Sequence, residues 1–406
     1  MKFFFADSQD HVDPHFDFVR DAYHPARYVQ RDDVYPHEYF EEPPYDGMLV
    51  SRAIVGDDGF KGKYTTAQAI RFRRDGADRF LRYEGALMGD CGAFSYINLP
   101  NPPYQVDEIV DYYADCHFTL AVSIDHVILG YDESADSPSL FNAMLPPEWV
   151  RRFDLTLELA AKFHKRCREV AAPFRPVGVA QGWSPNSYAE AARRLIDMGY
   201  DYVALGGMVP LKKEQIHQIV DRVRQVSPSV DLHLFGFTKA DSVQEFTKYG
   251  IASLDSTSPM LRAFKDGKSN YFNGDRWYTA IRVPQADENR KFKQAILAGH
   301  KDQRRLRTLE QEALNGLRSY DRRESSLDKT LSAVEAYGGE FSEHPPMAAY
   351  REVLEDRPWS SCPCKVCRDV GIEVILFRGS NRNRRRGFHN LWAFHRKLQG
   401  VRMATV

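Results

Sequence analysis

Cysteine is scarce in this chain, and neither sign of charge is in excess. Six cysteines occur among 406 residues, and the formal net charge is −1. So few cysteines, three of them clustered, argue against a disulfide framework and for a reducing compartment. A near-neutral chain has no overall attraction to nucleic acid, so any such binding must come from a local group of basic residues.

Long apolar runs are also lacking. No run approaches the roughly 18 residues expected of a membrane span, and the stretch from Met1 to Phe5 is too short and too soon followed by an acidic residue to be a signal peptide. The sequence contains no Walker-type phosphate loop, so we do not expect this chain to hydrolyse ATP. We therefore expect a cytoplasmic protein without a membrane segment.

What the chain does have is a regular alternation of two kinds of segment. Its 43% hydrophobic content is enough for a large core. Eight short β-prone runs end in polar or glycine residues: 2–6, 47–55, 86–89, 119–124, 175–180, 202–205, 231–235 and 251–254. Helix-period stretches lie between them: 65–80, 106–116, 147–170, 184–198, 213–226 and 240–249. This alternation predicts a (β/α)₈ TIM barrel.

Two stretches do not fit the repeat. Residues 11–46 lack a clear period and are interpreted as a long loop over the barrel mouth. Residues 282–350 are highly charged and helical in texture, which is typical of exposed helices. We therefore predict a catalytic barrel with an N-terminal loop insertion over residues 1–285. A helical and zinc-binding subdomain with a basic patch should follow over residues 286–406.

Carboxylates follow several of the predicted strands. Asp90 ends one run and is followed by small residues, while Asp125 and Asp255 end two others. Ordinary turns after strands would also explain them. In a parallel barrel, however, the carboxyl ends of all strands meet on one face, so these side chains are expected to share a pocket.

The C-terminal region carries a metal-binding pattern. Cys362, Cys364 and Cys367 supply three thiolates within one tight loop, as a tetrahedral zinc ion requires. His389 is the best candidate for the fourth ligand, and His395 is the alternative. Four protein ligands leave no position for a catalytic water, so the site is expected to be structural. Three free thiols clustered by chance are the other interpretation.

Arginines are dense just beyond these cysteines. Guanidinium groups pair with phosphate in bidentate fashion, which favours contact with a nucleic-acid backbone, although a solvated charge run is an equally ordinary explanation. Aromatic residues are interleaved with the basic ones, which are Arg378, Arg382, Arg384, Arg385, Arg386, Arg396 and Lys397.

Taken together, these motifs carry a family resemblance. The chain resembles the queuine/archaeosine tRNA-guanine transglycosylases, and most of all the DpdA-type enzymes that insert a 7-deazaguanine base into DNA. The stretch from Asp90 to Phe94 is similar to the family's Asp-Ser-Gly-Gly-Phe, and residues 180–182 to its Val-Gln-Gly. Residues 204–208 are similar to Ala-Val-Gly-Gly-Leu, and residues 254–259 to Phe-Asp-Cys-Val-x-Pro. The three cysteines followed by His-Asn-Leu resemble its zinc signature, which selects His389 over His395.

This resemblance implies roles for individual residues. It implies that Asp255 is the nucleophile and Asp90 the general acid/base in an exchange of bases. Binding of the base is assigned to Asp125, Gln181, Gly206, Gly207, Cys91 and Phe94, with Tyr96 or Phe237 as other stacking candidates. Structural Zn²⁺ is the implied cofactor, and contact with the nucleic acid is assigned to Arg382, Arg384, Arg385 and Arg386.

Departures from the family pattern bear on the substrate. Cys91 replaces Ser, Ala93 replaces Gly, and His126 stands where the tRNA enzymes usually carry Glu. We therefore expect exchange of guanine in DNA for 7-cyano-7-deazaguanine, with helper proteins that include an ATPase to open the duplex. One alternative is a tRNA-guanine transglycosylase. Another is an inert zinc protein that only binds nucleic acid.

Overall fold

A closed barrel of eight parallel strands forms the first part of the chain in the computed structural model, which describes residues 1–56, 62–135, 145–237 and 240–400. The strands follow one another around the barrel in sequence order, and β8 pairs with β1. Strands β1 to β8 are Lys2–Ala6, Gly47–Ser51, Ala86–Asp90, Leu120–Val122, Arg175–Ala180, Tyr202–Leu205, Asp231–Leu234 and Ser253–Asp255. The predicted TIM barrel and all eight of its strands are confirmed.

Alternate side chains of these strands fill the barrel interior. One buried apolar cluster consists of Phe4, Leu49, Met88, Val122, Val177, Val179, Tyr202 and Ala204. Successive side chains of a strand point to opposite faces, so the residue two positions further on points inward again. On β3 this places Asp90 above Met88, and on β8 it places Asp255 above Ser253. The period of two along each strand thus sets the direction of the polar groups at the carboxyl ends.

Helices follow most of the barrel strands, and further helices make up much of the second half of the described chain. In chain order, α1 to α16 are Pro36–Tyr39, Arg52–Val55, Thr66–Asp75, Ala77–Leu81, Val106–Asp115, Pro147–Glu169, Pro185–Asp197, Lys213–Val226, Ser258–Lys265, Arg290–Leu297, Gln303–Asp321, Leu327–Gly338, Met347–Asp356, Pro358–Ser361, Lys365–Val370 and Ser380–Leu398. Short 3₁₀ helices are Ala93–Tyr96, Glu133–Ala135, Ala240–Tyr249 and Gly371–Ile375. Within the described part of the chain, no helix combines the length and the apolar character needed to cross a membrane.

One predicted helix and one predicted strand differ from the elements observed. The stretch 65–80 is split into α3 and α4, because Gly76 between them adopts φ +84° and cannot continue a helix. The stretch 47–55 is β2 followed directly by α2. Thr65 caps α3, since its side chain accepts a hydrogen bond from the Gln68 amide.

The chain divides into two compact units. The first comprises Met1–Gln9 and Tyr45–Thr257, and the second comprises Asp10–Pro44 and Ser258–Val406. The division after residue 257 differs from the predicted boundary after residue 285. The segment predicted as a loop of the barrel also belongs to the second unit. Its side chains contact that unit directly: the Tyr39 hydroxyl donates to Asp369 at 2.6 Å.

The second unit is mainly helical, with two small sheets. Strands β9 and β10, Tyr271–Phe272 and Trp277–Tyr278, pair antiparallel, while β11 and β12, Ile281–Arg282 and Leu376–Phe377, pair parallel. The predicted charged helices correspond to α10 to α13. They are not simply exposed, since an apolar stripe of α11 that includes Leu306, Leu314 and Leu317 is buried.

Candidate active site and metal centre

A cavity of about 270 Å³ lies at the carboxyl ends of the barrel strands. Its lining includes most of the predicted site residues, from five different strands or the loops after them. These are Asp90, Phe94, Asp125, Gln181, Gly206, Gly207 and Asp255. These residues, which end or follow strands far apart in the sequence, therefore share one pocket, as expected.

Asp90 faces this cavity in an environment that favours its neutral form. Burial, and next the negative charge of Asp125, raise the pKa of Asp90 from 3.8 to about 7. The Gly92 amide donates to its Oδ2 at 3.1 Å and opposes part of the rise. A carboxyl group with a pKa near neutrality can both give and take a proton.

Asp125 is held by two side chains from other parts of the barrel. The Gln181 amide donates to Oδ2 at 2.7 Å, and the Cys91 thiol donates to Oδ1 at 3.5 Å. Burial raises the pKa of Asp125 to about 6. Each carboxylate oxygen retains a further lone pair, so Asp125 can still accept hydrogen bonds from a ligand in the cavity.

Cys91 does not line the cavity, although it was predicted to contact the base. Its side chain is wholly buried, and its sulfur lies 2.9 Å from the Tyr96 hydroxyl. That hydroxyl in turn donates to the Asp125 carbonyl at 2.9 Å. We correct the prediction accordingly: Cys91 and Tyr96 support Asp125 from behind and do not face a ligand.

The two consecutive glycines after β6 leave room for the Gln181 amide. A Cβ at Gly206 would lie 2.1 Å from Gln181 Nε2, and a Cβ at Gly207 would lie 2.5 Å from the Ile128 carbonyl. Gly207 also adopts φ +71°. Glycine is therefore required at position 206 if Gln181 is to reach Asp125, and at position 207 by the backbone itself.

Aromatic side chains occupy one part of the cavity wall. Phe94 lines it with about half of its surface exposed, as a residue that stacks on a flat ring should. Phe235, at the end of β7, also lines it and was not predicted as a site residue. The other stacking candidates, Tyr96 and Phe237, are buried in the core and do not serve this role.

Asp255 has a different environment from Asp90. Its Oδ1 accepts a hydrogen bond from the Gly236 amide at 2.8 Å and lies 3.2 Å from His233 Nε2. Sequence reasoning missed His233, although a histidine inside the apolar run 231–235 was a visible signal. His126, singled out as a departure from the family, does not line the cavity; its Nε2 lies 2.8 Å from the Leu99 carbonyl.

The predicted metal ligands meet in the second unit. Ligand atoms of Cys362, Cys364, Cys367 and His389 all lie within 4.8 Å of one another and are buried. His389 Nδ1 is 3.6, 3.4 and 3.4 Å from the three sulfurs. A tetrahedral zinc ion with ordinary Zn–S and Zn–N bonds requires about 3.5 Å between these atoms. This cluster could hold a metal ion, and its donor set and spacing fit zinc.

A further contact fixes the orientation of the metal-facing histidine. The other ring nitrogen of His389 donates to the Phe272 carbonyl at 2.8 Å, which leaves Nδ1 as the free ligand atom. His395, the alternative ligand, is outside the cluster, and its Nε2 lies 3.1 Å from the Gln399 side chain. The choice of His389 agrees with this geometry.

The predicted nucleic-acid patch is largely wrong. Arg382, Arg385 and Arg386 on α16 are buried, with 1%, 2% and 0% of their surfaces exposed. They bind groups of the same unit: Arg382 pairs with Glu373 at 2.6 Å, and Arg386 donates to the Leu376 carbonyl at 3.0 Å.

The remaining arginines of this group serve the same unit. Arg385 donates to the Asp13 carbonyl at 2.8 Å, and partly exposed Arg384 donates to the His11 carbonyl at 3.2 Å. A buried guanidinium needs such partners, because leaving it unpaired would be costly. Helix α16 therefore uses its arginines to hold the segment Asp10–Pro44.

Comparisons with known proteins agree with the resemblance seen in the motifs. No protein-family model matches the chain. A curated protein of Salmonella montevideo is 45% identical over 408 residues, which cover 98% of this chain and 97% of the relative. That protein is named DNA-guanine transglycosylase.

The metal centre predicts that only loss of a cluster cysteine lowers the zinc content of the protein. Cys364→Ser should reduce bound zinc from about one ion per chain to near zero, because serine is a poor ligand beside two thiolates. Elemental analysis of the purified protein measures this directly. Cys167→Ser, which removes a buried thiol of α6 in the other unit, is the control and should keep its zinc. Equal zinc content in both variants would contradict the assignment.

The raised pKa of Asp90 predicts how its removal affects stability. The carboxyl titrates near 3.8 in the unfolded chain and near 7 in the folded one. Between these values only the unfolded state loses the proton, so the contribution of Asp90 to stability falls as pH rises. Asp90→Asn should therefore gain stability over the wild type between about pH 4 and pH 7, by about 2 to 4 kcal/mol in total.

Denaturant unfolding at several pH values measures this gain. Asp154→Asn, which changes an exposed carboxylate on α6, should show no comparable trend. A gain from Asp90→Asn that is the same at pH 4 and pH 8 would show that Asp90 is not desolvated in the folded protein.

Proposed function

The chain belongs to the family of DNA-guanine transglycosylases, and we propose that it exchanges guanine in DNA for 7-cyano-7-deazaguanine through a covalent link between Asp255 and the deoxyribose. Membership makes it a pentosyltransferase. The observation that carries the mechanism is that two carboxylates with different environments, Asp90 and Asp255, line one cavity. Cleavage of a bond to C1′ by way of an oxocarbenium-like transition state is served by such a pair.

The first half of the reaction removes guanine. A carboxylate oxygen of Asp255 attacks C1′ of the target deoxyguanosine, and the bond from C1′ to N9 breaks. Protonated Asp90 gives its proton to the departing guanine, which leaves as the neutral base. A pKa of about 7 lets Asp90 hold that proton near neutral pH.

The second half reverses these roles. The incoming 7-cyano-7-deazaguanine loses its N9 proton to Asp90, and N9 attacks C1′ while the bond to Asp255 breaks. Two inversions at C1′ leave the configuration retained. Asp90 is protonated again at the end and is ready for the next guanine.

Recognition of the base is assigned to the wall opposite the reacting carbon. Asp125 accepts N–H groups from the base, while Gln181 holds Asp125 in position and the backbone of Gly206 and Gly207 lines the cavity beside them. Phe94 and Phe235, which both line the cavity, supply apolar surface for stacking. The recognised groups are common to guanine and its 7-deaza analogue.

The form of DNA that reaches this site follows from the position of Asp90 and Asp255 inside the cavity. A base inside a duplex does not reach them, so the nucleotide must be flipped out or offered in a single strand. Unstacking costs a few kcal/mol. We therefore propose that a separate ATPase and other helper proteins open duplex DNA for this enzyme, and that Zn²⁺ at the Cys₃His cluster only stabilises the second unit.

Base exchange with labelled nucleic acids tests the function. Single-stranded DNA carrying radiolabelled guanine should release the label when purified protein and 7-cyano-7-deazaguanine are added, and tRNA labelled in the same way should not. Asp255→Asn should abolish release, because an amide does not form the ester link. Asp154→Asn, on the outer surface of α6, is the matched control and should act like the wild type.

Two outcomes would contradict the proposal. Release of label from tRNA alone would assign the chain to the tRNA reaction. Equal release by wild type and Asp255→Asn would show that Asp255 is not the nucleophile. Duplex DNA, tested alongside, should react much more slowly than the single strand.

A further inference from the structure

A chain of buried polar groups runs beneath Asp255 inside the barrel. His233 on β7 lies between two residues of β8: its Nε2 is 3.2 Å from Asp255 Oδ1, and its Nδ1 is 2.6 Å from Ser253 Oγ. The Tyr202 hydroxyl on β6 continues the chain, 2.5 Å from the same Ser253 oxygen. Three neighbouring strands thus place four polar side chains in one line.

The register of the strands explains this alignment. His233 is the direct partner of Ser253 in the parallel pairing of β7 and β8. Asp255 is two residues beyond Ser253, so it points to the same side of the sheet and lies one step nearer the cavity. His233 and Ser253 have no exposed surface, whereas Asp255 lines the cavity. The chain therefore leads from the closed interior to the reacting end of the barrel.

One arrangement of protons satisfies every group in this chain. Tyr202 donates to Ser253, the Ser253 hydroxyl donates to His233 Nδ1, and the Nε2–H of His233 donates to Asp255. Each of these hydrogens then has an acceptor, and each ring nitrogen of the buried imidazole has one partner. Ser253 and Tyr202 thus fix the tautomer that presents a donor to the carboxylate.

Aromatic neighbours hold the ring of His233 in place. Phe4 lies with its centroid 6.1 Å away, edge to face, and Phe235 lies 4.7 Å away at 75°. The imidazole cannot turn without displacing them. A donor that is already oriented costs no rearrangement when charge changes on its partner.

We propose that His233 is a positioning residue that determines which oxygen of Asp255 reacts. Both hydrogen bonds described for the Asp255 carboxylate, from the Gly236 amide and from His233, reach Oδ1. Oδ2 is left as the attacking oxygen, and the pair of donors prevents rotation of the carboxylate. This inference rests on the proposed function, because it assigns Oδ2 of Asp255 to C1′.

The same two donors act throughout the reaction. Oδ2 forms the bond to C1′ as guanine departs, so Oδ1 becomes the carbonyl oxygen of the ester. In the second half the bond from Oδ2 to C1′ breaks, its electron pair returns to the carboxylate, and Oδ1 regains negative charge. The fixed Nε2–H stabilises that returning charge. No proton needs to leave His233 in either step.

Kinetics of variants along the chain test this role. His233→Leu and Ser253→Ala should each lower kcat for base exchange, by about 10- to 100-fold for His233→Leu and less for Ser253→Ala. KM for the incoming base should change less than about two-fold, because base recognition depends on other groups. His233→Gln, whose amide can donate to Oδ1, should recover part of the lost rate.

The double variant His233→Leu with Ser253→Ala separates this role from general weakening of the core. Because Ser253 acts through His233, the double variant should be no slower than His233→Leu alone. His117→Gln, at an exposed histidine of the same unit, is the control and should exchange bases like the wild type.

Several outcomes would overturn the inference. These are a wild-type rate for folded His233→Leu, a change confined to KM, or multiplied losses in the double variant. If His233→Leu does not fold, Ser253→Ala serves as the test, and an unchanged kcat for that variant overturns the proposal. Inactivity of the wild type would instead reject the proposed function.

Discussion

Closure of the barrel is the constraint on which the site depends. Parallel pairing of β8 with β1, in which Asp255 stands beside Phe4, completes a ring that begins and ends at distant points of the sequence. Within that ring the period of two along each strand sends apolar side chains into the interior and aims the next inward residue at the mouth. The meeting of Asp90 with Asp255 in one cavity follows from closure and periodicity together.

Different surroundings give these two carboxylates different chemistry. Asp90 is desolvated beside the charge of Asp125, so it keeps a proton near neutral pH and can exchange it. Asp255 instead has both of its described hydrogen-bond partners, His233 and the Gly236 amide, on one oxygen, which orients the carboxylate. The division of labour between acid/base and nucleophile arises from folded surroundings, as in other two-carboxylate enzymes.

Local patterns in the sequence were enough to predict the strands, the carboxylates at their ends and the cysteine cluster, while the family resemblance selected His389 as the fourth ligand. Each of these features depends on residues that are close in sequence or that recur with a regular period. The role of the arginines of α16 could not be predicted in this way. Their charge suggested a phosphate partner, but Arg382 pairs with Asp21, 361 residues away, and with Glu373. His233 was missed for the same reason, because its partners lie on neighbouring strands.

The central claim is that Asp255 forms a covalent bond to the sugar while Asp90 handles the proton. Mass spectrometry of enzyme mixed with a guanine-containing single strand, quenched by acid before any incoming base is added, tests it most directly. The account predicts a protein–DNA adduct that lacks one guanine and, after proteolysis, maps to the peptide containing Asp255. An adduct on Asp90, or exchange that proceeds with no adduct at any time, would contradict it.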